Sequence, residues 1–167
     1  MNTRKFILLI VVVLLLAALF ASSALAGENG NFVAPLSADQ EVPANDSLAR
    51  GNAIFHISEA GDSIDFKLIV ANIDNVTQSH IHCGAAGVNG PVVAFLYGFT
   101  PGGVTVNGVL SEGTITAGNV IPRPDSAACP GGVANLDDLI AKLSSGEAYV
   151  NVHTVEFPGG EIRGQFK

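Results

Sequence analysis

In SIDFKLIVA, residues 63–71, Ile64, Phe66, Leu68 and Val70 alternate with Asp65 and Lys67. Successive side chains of an extended chain point to opposite faces, so a period of two makes one face apolar and the other polar. Such a segment is a half-buried strand, and it covers its apolar face only by joining other strands. NAIFHIS precedes it across EAGD, a turn signal, so the two arms read as a hairpin. Further on, PVVAFLYGF is nearly all apolar, as for a strand buried on both faces, with Pro91 at its start where a missing N–H is tolerated. GVLSEGTITAG is short, glycine-punctuated and strand-forming. AYVNVHTVEF and GEIRGQF flank Pro158-Gly159-Gly160 as a terminal hairpin.

One stretch departs from this pattern. NLDDLIAKLSSG sets Leu136, Leu139, Ile140 and Leu143 on one helical face, with Asn135 as N-cap, Asp137 and Asp138 in the first turn, and Gly146 as the stop. The spacing of strands and turns predicts an all-β domain, an antiparallel β-sandwich or barrel, with one short helix near 135–145.

The N-terminus carries a different message. Arg4 and Lys5 precede an unbroken apolar run from Phe6 to Phe20, and Ala24-Leu25-Ala26 supplies small residues at a cleavage site. That is the pattern of a secretory signal over residues 1–26, followed by a loose polar lead-in at 27–31 and a domain over 32–167. The expected setting is secreted, extracellular or cell-envelope (the periplasm in a Gram-negative cell), with no transmembrane segment once the signal is removed. The net charge is −7 and becomes −9 without Arg4 and Lys5, so attraction to nucleic acid is excluded as a working function. The two cysteines, Cys83 and Cys129, read first as a disulfide in an oxidising compartment, worth about 4 kcal/mol by chain entropy. The rival reading makes Cys83 a metal ligand beside His82.

Three histidines raise the question of chemistry. His80 and His82 are two apart and share a strand face, with Ile81 opposite; His153 shares a face with Tyr149 and Asn151. Pairing of the last two strands sets Tyr149, Asn151 and His153 against Glu161, Arg163 and Gln165, a patterned polar surface. One reading brings His80, His82 and His153 onto Zn²⁺ or Cu²⁺, with Glu161 as a further ligand or an orienting group. The other has the histidines donating to backbone carbonyls of the CGAAGVNG turn, Tyr149 as a buried phenol bonded to backbone, and Glu161–Arg163 as a solvated pair. His56 alternates with Phe55 and Ile57 and reads as a packed or half-exposed residue. No nucleophile–base pair is recognisable, so no catalytic residue is assigned.

LSADQEVP at 36–43, SHIHCGAAGVNGPVV at 79–93 and GEAYVNVHTVEFPGGEIRGQ at 146–165 resemble the chordin-type (CHRD) domain family, in family order and across residues 32 to 166. The resemblance implies an extracellular or cell-envelope β domain whose H-I-H and N-V-H-T motifs are family features, and groups Glu161 and Arg163 with His80, His82 and His153. A looser similarity is to Cu/Zn superoxide dismutase, a β-sandwich with an H-x-H copper strand and a later V-H ligand. This leaves an immunoglobulin-like or a dismutase-like sandwich as the expected forms. Between Cys83 and Cys129 there is no histidine, and Glu112 and Asp125 are the acidic residues there, so that enzyme's zinc loop has no counterpart. The first functional expectation is a non-enzymatic extracellular binding or structural module, partnered by an extracellular protein or a cell-surface component and needing no cofactor. The second is a Cu or Zn protein built on His80, His82 and His153, with dismutase-like redox chemistry.

Overall fold

The computed structural model of the protein describes residues 30–167. The expected signal over residues 1–26 and the start of the lead-in lie outside the described residues. Strands β1 (Asn31–Ser37), β2 (Arg50–Ile57) and β3 (Ser63–Cys83) come first, followed by β4 (Val92–Tyr97) and β5 (Val104–Thr116). The helix α1 (Leu136–Ser145) precedes β6 (Ala148–Thr154) and β7 (Ile162–Gln165).

The hairpin expected around EAGD is present, with β2 antiparallel to β3 in the register Phe55↔Phe66 and Ile57↔Ile64. β3 then does something that alternation does not announce. It runs 21 residues and joins SIDFKLIVA to SHIHC in one strand. Asn72 and Asn75, at φ 54° and 51°, bend it. Asparagine tolerates that left-handed conformation better than most residues. Pairing to β5 slips on both sides of Ile73, marking bulges that let the strand turn a corner. The first half of β3 consequently pairs with β2 and β5, and the second half with β6 and β4. All seven strands belong to one sheet, in which β2, β1, β7, β6 and β3 follow in order and β3 returns to β2. The result is an all-β barrel or sandwich closed thinly at Ser37↔Arg163 between β1 and β7.

Its interior holds Phe55, Leu68, Ile81, Val150, Val152, Ile162 and Phe166, with Phe55 edge-on to Phe166 at 4.8 Å. The helix is as the sequence predicts. Asn135 accepts from the Asp138 N–H at 3.0 Å, Gly146 closes it at φ 69°, and Leu136, Leu139 and Leu143 are buried. β4 differs from expectation. It hangs from β3 outside the ring, with Val93, Ala94 and Leu96 buried but Phe95 50% exposed, so only one face is fully covered. Cys83 and Cys129 form a disulfide across 46 residues, which takes Cys83 out of any ligand set. None of the helices in the described residues is long and apolar enough to cross a membrane.

Candidate metal centre

The bulged β3–β4 ladder and the β3–β6 ladder, regular from Gln78 to Cys83, put the three histidines on one face of the second half-sheet. His82 stands opposite Tyr149, His80 opposite Asn151, and Gln78 opposite His153. Tyr149 in turn faces Gln165, and Asn151 faces Arg163. Tyr149 and Asn151 therefore stand against the last strand, while His153 lies beyond the end of the β6–β7 ladder. The character of this face differs from the expectation. Every residue of β6 is buried, Arg163 is 1% exposed and Glu161 7%, so the polar face is an interior lined by loops rather than a surface.

Burial of polar groups costs free energy unless each finds a partner, and the partners define what this interior can do. His82 Nδ1–H donates to the Gly90 carbonyl at 2.9 Å, which leaves its lone pair on Nε2. His153 Nδ1–H donates to the Pro158 carbonyl at 2.9 Å, with the same consequence. His153 Nε2 lies 3.2 Å from His80 Nδ1, so the hydrogen between those two rings sits on His80. The lone pair of His82 Nε2 is buried and has no hydrogen-bond partner. One nitrogen from each ring falls within 4.8 Å of the others. Two nitrogens sharing a tetrahedral Zn²⁺ at 2.0–2.1 Å stand about 3.3 Å apart, close to the His80–His153 spacing. A shift of the His80 proton to its other nitrogen turns the third ring into a donor as well.

Ring orientation is over-determined. Tyr149 stacks on His82 at 4.8 Å with a 9° interplanar angle, and its hydroxyl accepts the Gly90 N–H at 3.1 Å. One side chain thus grips both His82 and the peptide that orients it. Arg163 Cζ lies 3.4 Å above the Tyr149 ring, which leaves the other face of the phenol to His82. The guanidinium donates to Val88 O at 2.7 Å, Ala85 O at 3.2 Å and Asn89 Oδ1 at 3.2 Å, lashing the 84–90 turn to β7. Gln165 Nε2 donates to the carbonyls of Gly84, Gly146 and Ala148. At Gly90 a Cβ would fall 1.6 Å from the Cys83 carbonyl, so that turn accepts only glycine there. The GAAGVNGP run is a clamp for a histidine.

Glu161 lies outside the group formed by the three histidines. One of its carboxylate oxygens accepts from Ser47 Oγ at 2.6 Å, and Glu161 and Arg163 are both buried, so they are not a solvated pair. Asn151 Nδ2 donates to Glu41 Oε1 at 2.6 Å. Burial pushes the Glu41 carboxyl up to about 7 against the pull of Arg163. Burial also carries His80 down to about 3 and His82 to about 4, and holds His153 below the usual histidine range. At neutral pH the three rings are therefore uncharged, the form that binds metal. Phe95 packs edge-to-face on His80 at 4.5 Å, beside the cluster. His56 is exposed, bonded to Asn31 at 2.7 Å and outside the cluster.

Glu41, Ser47, Asn89 and Phe95 were not singled out by sequence reasoning. Glu41 sits in LSADQEVP, one of the stretches that carry the family resemblance, which was the available signal; a phenylalanine in an apolar run offers none. No curated protein and no solved structure gives a significant match to the chain. The CHRD domain profile does match it, over residues 32–166, so nearly the whole of the described structure, histidine cluster included, is one CHRD domain and the chain belongs to that family.

Proposed function

We propose that this protein is an exported CHRD module whose specific ligand is a single transition-metal ion, Cu or Zn, held by His80 Nδ1, His82 Nε2 and His153 Nε2. The CHRD domain is of an extracellular type, which agrees with an N-terminus that reads as a secretory signal. The observation that carries the metal is the buried, unpartnered Nε2 of His82, aimed by a backbone carbonyl on its other nitrogen. Metal-ligating histidines are held in just this way, with the second ring nitrogen fixed by an outer partner. A purely structural histidine gains nothing from a second nitrogen left dry. Binding or structural roles toward an extracellular protein or the cell surface remain compatible with the ion as a structural or sensing element of the module.

The test is the metal content of the exported, untagged protein, purified without chelator, beside His80→Ala/His82→Ala. The expected result is close to one Cu or Zn per chain after loading, lost in the double variant while its circular dichroism stays that of a β protein. A wild-type domain that takes up neither ion, or a double variant that keeps its metal, overturns the reading.

A further inference from the structure

The charges around the cluster discriminate between ions. The three donors are neutral imidazoles, and among the described residues no carboxylate or thiolate joins them: Glu161 is bonded to Ser47, Glu41 to Asn151, and Cys83 is in a disulfide. The charged groups nearest His82 are cations. Arg163 lies beyond the Tyr149 ring, and Arg123 donates from Nε at 2.7 Å to the carbonyl of Val92, the residue opposite His82 in the β3–β4 ladder. Among the described residues, the hydrogen bonds of the three rings go to one another and to the Gly90 and Pro158 carbonyls, and no salt bridge brings a carboxylate to them. Glu41 is held by Asn151 Nδ2 at 2.6 Å and feels the charge of Arg163. Beside His80, on the paired position of β4, stands the apolar Phe95 ring, which offers no ligand atom.

Resting on the metal-site reading above, we infer that the cluster is selective for the monovalent copper ion, Cu⁺, over the divalent ions Cu²⁺ and Zn²⁺. A divalent ion here keeps its full double charge in a buried space that already faces two cations, a cost that neutral donors do not offset. Zn²⁺ takes four ligands in its structural sites, and Cu²⁺ favours a tetragonal set. Cu⁺ brings half the charge, and three imidazoles suffice for it. The inference concerns which ion is bound, and no electron-transfer step is attached to it.

The experiment uses the full exported protein, metal-free, under anaerobic conditions. Affinities for Cu⁺, Cu²⁺ and Zn²⁺ are each measured against a chromogenic chelator of known strength. Binding of Cu⁺ one-to-one and at least 1,000-fold tighter than Cu²⁺ is expected, about 4 kcal/mol of preference. Phe95→Asp sets a carboxylate on the half-exposed position paired with His80, and is expected to strengthen Cu²⁺ and Zn²⁺ at least tenfold with little change for Cu⁺. Phe95→Asn, without the charge, is expected to leave the preference as it was. Equal or tighter binding of Cu²⁺ by the wild type overturns the selectivity and leaves the metal site standing. Failure to bind any of the three ions overturns both.

Discussion

The two halves of β3 use polar residues in opposite ways. In the first half Asp65 and Lys67 point to solvent, where Lys67 pairs with Glu112 of β5 at 2.9 Å and Asp65 accepts from Thr114 at 2.6 Å. Both members of the ion pair are about half exposed or more, at 48% and 61%. In the second half His80 is 4% exposed, and Ser79 and Ile81 behind it are fully buried. One strand therefore runs from an ordinary half-wet sheet into a segment wrapped on both faces. The wet half needs no compensation, since water serves any polar atom that lacks a partner. The dry half must account for each atom, and it does so at His82 Nδ1 and His153 Nδ1 while leaving His82 Nε2 without a partner. Asn151 Oδ1 and Gln165 Oε1 on this face also lack partners, but His82 Nε2 belongs to a ring grouped with two others that each offer a nitrogen within 4.8 Å, as a metal site needs.

The sharpest way to break the dry half is through Gly90. Its Cβ would lie 1.6 Å from the Cys83 carbonyl, a backbone atom fixed by the β3 ladder and by the disulfide. Gly90→Ala is expected to cost about 4 kcal/mol, at the high end for a point substitution because backbone must move. It also withdraws the carbonyl that aims His82, so metal uptake is expected to fall with it. Urea unfolding of the metal-free variant beside metal titration checks both. A variant with wild-type stability would mean the 84–90 turn relaxes freely and is no clamp.

How far the sequence speaks follows the same division. The hairpin of the wet half was legible: Ile64 through Val70 alternate and EAGD turns the chain, whereas its pairing with β5 was not. The helix was legible for a similar reason, since Asn135, Gly146 and the leucine stripe are local signals. The continuity of β3 through Asn72 and Asn75 was not, because a left-handed asparagine inside a strand looks like a loop until the partner strands are known. The histidine face was half legible. Parity set His80 beside His82, and the pairing of the last two strands set Tyr149, Asn151 and His153 against Glu161, Arg163 and Gln165; only the family resemblance joined the two sets. What parity cannot give is cover: the loops at 38–47 and 84–90 turn that face into an interior, and their closure depends on long-range bonds such as Asn151 to Glu41 and Arg163 to Val88. The contrast drawn between backbone-bonded and metal-binding histidines also dissolves. An imidazole has two nitrogens, and His82 and His153 bond a carbonyl with one while offering the other.

Acid should separate the halves next. Each histidine is held below its unfolded value near 6.5, so the unfolded chain takes up protons that the folded one refuses. Their stabilisation is present above pH 6.5 and is lost as pH falls toward the folded values of about 3 for His80 and 4 for His82. Each contributes at most about 1.4 kcal/mol per pH unit across its window. Glu41 acts in the other sense. Its folded pKa near 7 lies above the unfolded 4.5, so its contribution is present at low pH and is lost as pH rises through that interval. Three rings outweigh one carboxyl, and metal-free protein is expected to gain stability as pH rises from about 4.5 to 6.5. In His80→Gln/His82→Gln that slope should flatten or reverse. Urea midpoints at three pH values decide it, and a wild-type slope unchanged in the double variant would assign the acid sensitivity elsewhere.

The smallest effect belongs to the wet half and is the control for the rest. Lys67→Ala removes the Glu112 partner on the exposed face of the β3–β5 ladder. A pair so open to solvent is worth about 0.2–1 kcal/mol, and salt screens it further. The expected loss is therefore within 1 kcal/mol, smaller at 1 M salt, with metal uptake unchanged because no residue of the cluster lies on that half of the strand. Since β3 is continuous, the result also tests whether the bend at Asn72 and Asn75 insulates its two ends. A drop in metal affinity on Lys67→Ala would show that strain in the hairpin reaches His80 through the strand, and the two halves would then have to be treated as one cooperative unit.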